Sequence, residues 1–179
     1  MKTCLIGCGG IAAVHGSVLT SGVDTEFIAA ADIKPEKAQH YAETFHTKPY
    51  PSLESMLEAE KPDVLHICTP HYLHVPMAIY ALERNINVFM EKPPAISFDQ
   101  LEELKKAAAK SDAQLGFCYQ NRYNASIRAA KDLITSGKAG KVLGARAFVT
   151  WCRGAAYYTE SGWRGSLKTE GGGVLINQS

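Results

Sequence analysis

Three observations predict an α/β fold built on a doubly wound parallel sheet. Apolar, strand-length runs alternate with helix-period segments through the first two-thirds of the chain. The first run, Thr3 to Ile6, breaks at Gly7 into the spacing Gly7-x-Gly9-x-x-Ala12, and a helix pattern follows at once. The second run, Phe27 to Ala31, ends on Asp32, about twenty residues beyond Ala12.

Each small residue of the first turn has a separate task. Gly7 permits the tight turn. Gly9 lets the backbone approach a diphosphate where a Cβ would collide. Ala12 lets the helix pack close to the strand, and Gly10 and Ile11 complete the loop. Ile11, Val14, Val18 and Leu19 are expected on one helix face. The free N–H groups and about half a positive charge at the helix N-terminus suit the diphosphate. Asp32 is placed to accept hydrogen bonds from the adenosine ribose, and its carboxylate would repel a 2′-phosphate. The pattern therefore predicts NAD rather than NADP. The plain alternative is a glycine turn that binds nothing.

The remaining elements follow in order. Pro35 opens a helix carrying Ala38, Tyr41, Ala42 and Phe45. Lys48 to Pro51 is a short extended piece, and Ser52 caps the helix Leu53–Ala59. Val64 to Cys68 is apolar enough to lie centrally in a parallel sheet, and Thr69-Pro70 stops it. The next helix turns Val75, Ala78, Ile79 and Leu82 inward. Asn87 to Met90 forms a strand ended by Glu91-Lys92-Pro93-Pro94. Ser97 and Gln100 have the spacing of a capping box before Leu101, Leu104 and Ala108. Gln114 to Cys118 is a further short strand. This makes residues 1–118 a Rossmann-type dinucleotide-binding domain with ligands bound outside the strand C-terminal ends. Gly7, Asp32, Thr69, Lys92 and Tyr119 all fall at such ends.

Beyond Cys118 the pattern changes. Ile127, Ala130, Leu133 and Ile134 mark a helix capped by Gly137. Val142 to Arg153 partly alternates, as an antiparallel strand exposed on one side would. Residues 119–179 are therefore expected to be the incomplete start of an α+β substrate domain, either as a fragment or awaiting a partner for its sheet.

Composition narrows the function. The 179 residues are 46% hydrophobic and 21% charged, with net charge +1. No basic patch suggests nucleic acid, and Lys105, Lys106 and Lys110 read as a solvated helix face. Met-Lys before an apolar run resembles a signal peptide, but Gly7, Gly9 and Gly10 interrupt it. No apolar stretch has membrane-spanning length. Five cysteines without Cys-x-x-Cys pairing read as reduced thiols in a cytoplasmic protein, with no metal site.

Taken together, the chain resembles the front half of a member of the Gfo/Idh/MocA family of NAD(P)-dependent oxidoreductases. The markers are Gly7 to Ala12, Asp32, Thr69-Pro70 with His74, Glu91-Lys92-Pro93, Arg122, Trp163-Arg164 and the Gly171-Gly172-Gly173 run. The resemblance implies oxidation of a secondary hydroxyl on a sugar, inositol or related polyol, in a homo-oligomer. It makes Lys92 the catalytic residue beside nicotinamide and substrate, with the bond before Pro93 in cis. It implies cofactor contacts from the glycine loop, Asp32, Thr69, Pro70, His74, Glu91, Lys92 and Arg122. Trp163, Arg164 and Asn177 would line the substrate pocket. The family's Asp-x-x-x-His signature is broken here, because Asn177 stands at the Asp position and the His would fall beyond Ser179. The 179 residues alone are therefore expected to be inactive. Alternatives are an NAD-dependent glycosidase of the same fold and a non-catalytic dinucleotide-binding regulator.

Overall fold

A computed structural model describes residues 1–22 and 24–177. Six strands form one parallel sheet: β1 (Lys2–Ile6), β2 (Glu26–Ala31), β3 (Lys48–Tyr50), β4 (Val64–Ile67), β5 (Asn87–Glu91) and β6 (Leu115–Cys118). Their order is β3-β2-β1-β4-β5-β6. The chain reverses direction across the sheet between β1 and β4, so the crevice outside their C-terminal ends is the switch point of the topology. Ile6 pairs with Ala31 on one side and Ile67 on the other, which brings the residues after all three strands to one edge.

Both sheet faces are covered, which explains why β1 and β2 read as continuous apolar runs. On one face Cys4, Ile6, Leu65, Ile67, Val88 and Met90 pack beneath α3 (Leu53–Glu60), α4 (His74–Leu82) and α5 (Phe98–Lys110). On the other, Leu5, Ala30 and Cys68 meet α1 (Ala12–Ser21) and α2 (Pro35–Phe45) through Ala12 and Tyr41, with Phe45 alongside.

The structure corrects the expected face of α1. Ile11, Val14 and Val18 are 42%, 59% and 63% exposed, while Ala12, His15, Gly16 and Leu19 turn inward. The helix lies so close to its neighbours that a Cβ on Gly16 would meet the Phe45 ring at 2.6 Å. Side-chain size, rather than hydrophobicity, selects the inward face here.

A second correction concerns residues 142–153. Among the described residues they join no sheet, and Phe148 and Trp151 are 85% and 62% exposed. An extended segment gains ladder hydrogen bonds only from a neighbouring strand, and residues 119–177 contain none. Around it lie four helices. α6 (Ala125–Thr135) packs chiefly on the turn Gln120–Tyr123, and α7 (Ala155–Thr159) follows. The last two, α8 (Leu167–Glu170) and α9 (Val174–Asn177), return to the sheet edge. No helix among the described residues is long and apolar enough to cross a membrane.

Candidate functional site

The glycine turn is fixed from two directions. Gly7 donates its N–H to Ala31 O at 2.8 Å and adopts φ +94°. A Cβ there would lie 2.8 Å from the Cys68 backbone. Asp32, half-buried, accepts the Cys8 N–H on Oδ2 and the Lys34 N–H on Oδ1, each at 2.8 Å. Tyr41 OH donates to Gly9 O at 3.0 Å. By contrast, a Cβ on Gly9 or Gly10 would meet nothing within 4 Å. The loop is thus rigid beneath and open above. Each carboxylate oxygen of Asp32 keeps a further lone pair for an outside donor.

Beside this loop stands the turn after β4. The Thr69 hydroxyl is buried without a hydrogen-bond partner. Pro70 leads into a short 3-10 turn, His71–Leu73. His74 is 1% exposed, and its ring nitrogens lie 2.9 Å from the carbonyl oxygens of Thr69 and Pro93. Burial holds its pKa below the ordinary histidine value. His74 thus stands between the turn after β4 and the turn after β5. The Lys92–Pro93 peptide bond is cis.

Glu91 follows at the end of β5. It points inward, 5% exposed, with Oε1 3.0 Å from His15 Nε2. His15 Nδ1 lies 2.9 Å from His66 Nδ1. Burial, although it opposes the charge, is outweighed by His15 and other donors, which hold the Glu91 carboxyl below the usual carboxylate range. His66, half-buried and next to His15, has its pKa lowered to about 4 by desolvation and by His15. Cys118 joins His15 and Glu91 closely enough for the three to surround an ion. However, their ligand atoms already satisfy one another, and burial with Glu91 nearby pushes the Cys118 thiol up to about 11. This cluster braces the end of β5, the strand that presents Lys92.

Lys92 is half-buried and reaches across to the last helix. Its Nζ donates to the Asn177 backbone carbonyl and to Asn177 Oδ1 at 3.0 Å. Asn177 Nδ2 in turn donates to Glu170 Oε1 at 2.6 Å, and Glu170 Oε2 accepts the Gly165 N–H at 2.6 Å. The Glu170 carbonyl accepts from His71 Nδ1 at 2.9 Å. His71 is neutral at neutral pH, because burial lowers its pKa to about 4. Its ring meets that of Trp163 edge-on, centroids 4.6 Å apart. The Arg164 guanidinium covers Trp163 and Tyr157 at 4.2 and 4.3 Å.

The structure thus gathers Lys92, Asn177, Trp163 and Arg164 at the edge that also carries the glycine loop, Asp32 and Thr69. It leaves Arg122 exposed, stacked 5.2 Å from the Tyr119 ring. Sequence reasoning missed Glu170. Its only signal was its position just before the glycine run.

The comparisons with known proteins fit this arrangement. Residues 1–119 match the GFO_IDH_MocA family model, described as an oxidoreductase family with an NAD-binding Rossmann fold. The chain is 29% identical to D-glucoside 3-dehydrogenase of Escherichia coli over 99% of its own length and 50% of that protein. It is 28% identical to glucose-6-phosphate 3-dehydrogenase of Bacillus subtilis over 79% of its length and 40% of that protein. Among solved structures, the WlbA dehydrogenase of Chromobacterium violaceum, in complex with NADH and UDP-GlcNAcA, superimposes with a TM-score of 0.95. It shows 32% identity over 99% of this chain and 52% of that one. The chain therefore spans about half the length of these relatives.

Proposed function

The chain belongs to the Gfo/Idh/MocA oxidoreductase family, and on that premise we propose that it is the cofactor-binding half of an NAD-dependent dehydrogenase acting on a secondary hydroxyl of a sugar or related polyol. The observation that carries this reading is the meeting of Lys92, the open Gly9–Gly10 loop and Asp32 at one sheet edge.

The residues fit a dinucleotide. The uncovered backbone at Gly9 and Gly10 would cradle the diphosphate, and the spare lone pairs of Asp32 would take the adenosine ribose hydroxyls. The partnerless Thr69 hydroxyl supplies a further donor at the same edge. When bound, NAD supplies the hydride acceptor. The chain's own part is to manage the proton and the charge on oxygen. Both hydrogen bonds from Lys92 Nζ go to oxygens of Asn177, which hold the group as a donor at the sheet edge. As that donor it holds the developing alkoxide electrostatically, and stabilisation of this kind contributes about 2.7–4 kcal/mol. Residues 119–177 would begin the substrate domain, with Trp163 and Arg164 walling the pocket beside His71. Two relatives are named for oxidation at position 3 of a glucose unit. The C3 hydroxyl of a glucopyranoside is accordingly the first substrate to offer.

Calorimetric titration of the chain with NAD and then NADP tests the reading. NAD should bind, and NADP should bind at least about tenfold more weakly, a difference of about 1.4 kcal/mol. Equal affinity, or binding of neither, would overturn the assignment of Asp32 and the glycine loop.

A further inference from the structure

A short polar chain runs between two groups that can only donate. One is the Gly165 N–H, bonded to Glu170 Oε2. The other is the Lys92 ammonium, bonded to Asn177 Oδ1. Between them, Asn177 Nδ2 donates to Glu170 Oε1. Glu170 and Asn177 are 4% and 7% exposed, so bulk water cannot repair a mismatched contact. Among the described residues, Glu170 forms no direct ion pair, and Lys92 is bonded to it through the single Asn177 amide.

We propose that Glu170 is a positioning residue for Lys92. Acting through Asn177, it turns the amide oxygen toward the ammonium and places the balancing negative charge one residue away. The direction of the chain is forced. A carboxylate only accepts, so it must face Nδ2, and Oδ1 must then face Lys92. With donors fixed at both ends, only two arrangements satisfy every group. One is the native pair. The other is Glu170→Gln combined with Asn177→Asp, in which the new amide donates to the new carboxylate and Lys92 receives the charge directly.

Each single substitution breaks the pattern. Glu170→Gln sets an amide N–H against an N–H somewhere along the chain. Asn177→Asp sets two carboxylates 2.6 Å apart, the present Asn177–Glu170 distance. The mutual dependence of positions 170 and 177 rests on the polar chain alone. Its importance for turnover rests on the proposed dehydrogenase reading.

The test is a four-protein cycle on the 179-residue chain, with two readouts that need neither cofactor nor substrate. Thermal midpoints should fall by about 4 °C or more in each single variant and return to within about 2 °C in the double. The second readout is the acylation rate of Lys92 by acetic anhydride, followed by peptide mass spectrometry. It should rise about threefold or more in Glu170→Gln, where the balancing negative charge is lost, and fall to the parental rate or below in the double, where the carboxylate meets Lys92 directly. If Asn177→Asp fails to fold, recovery of folding in the double supports the proposal, and failure of the double overturns it. Additive midpoints, or an unchanged Lys92 rate in Glu170→Gln, also overturn it. Either result would leave the NAD titration, and hence the dehydrogenase reading, to stand or fall separately.

Discussion

Gly7 and Gly9 lie two residues apart and meet different constraints. Gly7 is fixed by the fold, with φ +94° and the Cys68 backbone where a Cβ would go. Gly7→Ala should therefore cost about 1–3 kcal/mol of stability. Gly9 faces open space. Gly9→Ala should leave the thermal midpoint within about 2 °C yet weaken NAD binding at least about tenfold. Scanning fluorimetry and titration on the two variants separate the roles, and unchanged NAD affinity in Gly9→Ala would place the diphosphate elsewhere. The tight turn at Gly7 was legible in the spacing Gly7-x-Gly9. The tasks of His15, His74 and Glu91 were not, because a buried polar side chain is defined by partners distant in sequence. His15 lies 3.0 Å from Glu91, and His74 lies 2.9 Å from Pro93.

At the scale of elements, the local signals held where local physics decides. Ser52 Oγ accepts the Ser55 N–H at 3.1 Å, and Ser97 Oγ accepts the Gln100 N–H at 3.2 Å, as their spacings predict. Gln100 reaches back to the Ile96 N–H instead of the cap's own N–H, a one-residue variation on the capping box. Ser52→Ala should lower stability by about 1 kcal/mol, read as a shift in a urea unfolding midpoint with unchanged slope. No shift would mean that solvent satisfies the first turn of α3 equally well. Element-level reading failed where a neighbour decides. The inward face of α1 is chosen by close contact with α2, and the alternating run at 142–153 lacks a strand to pair with.

Across the whole molecule, the last helices close back on the sheet edge, so Asn177 meets Lys92 across a sequence separation of 85. The same folding buries His71 and half-buries His66, each in uncharged form. Each has a pKa lowered from 6.5 to about 4. Unfolding frees them to take up protons, so their share of stability is complete above pH 6.5 and is lost as pH falls through about 4. Glu91, with its carboxyl held below the usual range, loses its share in the same direction at the acid end. His66 alone accounts for up to about 3 kcal/mol. Thermal midpoints measured through this window should fall steeply, and less steeply in His66→Phe. A flat profile would mean that these histidines titrate alike in the folded and unfolded states.

The sequence by itself determined the parallel sheet, the glycine turn with Asp32, and the strand ends at which Thr69 and Lys92 stand. Those features follow from backbone periodicity, turn chemistry and short spacings, all of which act within a few residues. Only the tertiary structure decided which side chains share a buried environment. It paired Glu91 with His15, set His74 between the Thr69 and Pro93 carbonyls, and joined Lys92 to Asn177 and through it to Glu170. Such pairings depend on the return path of the chain and on the need of every buried polar group for a partner. No local pattern encodes that path.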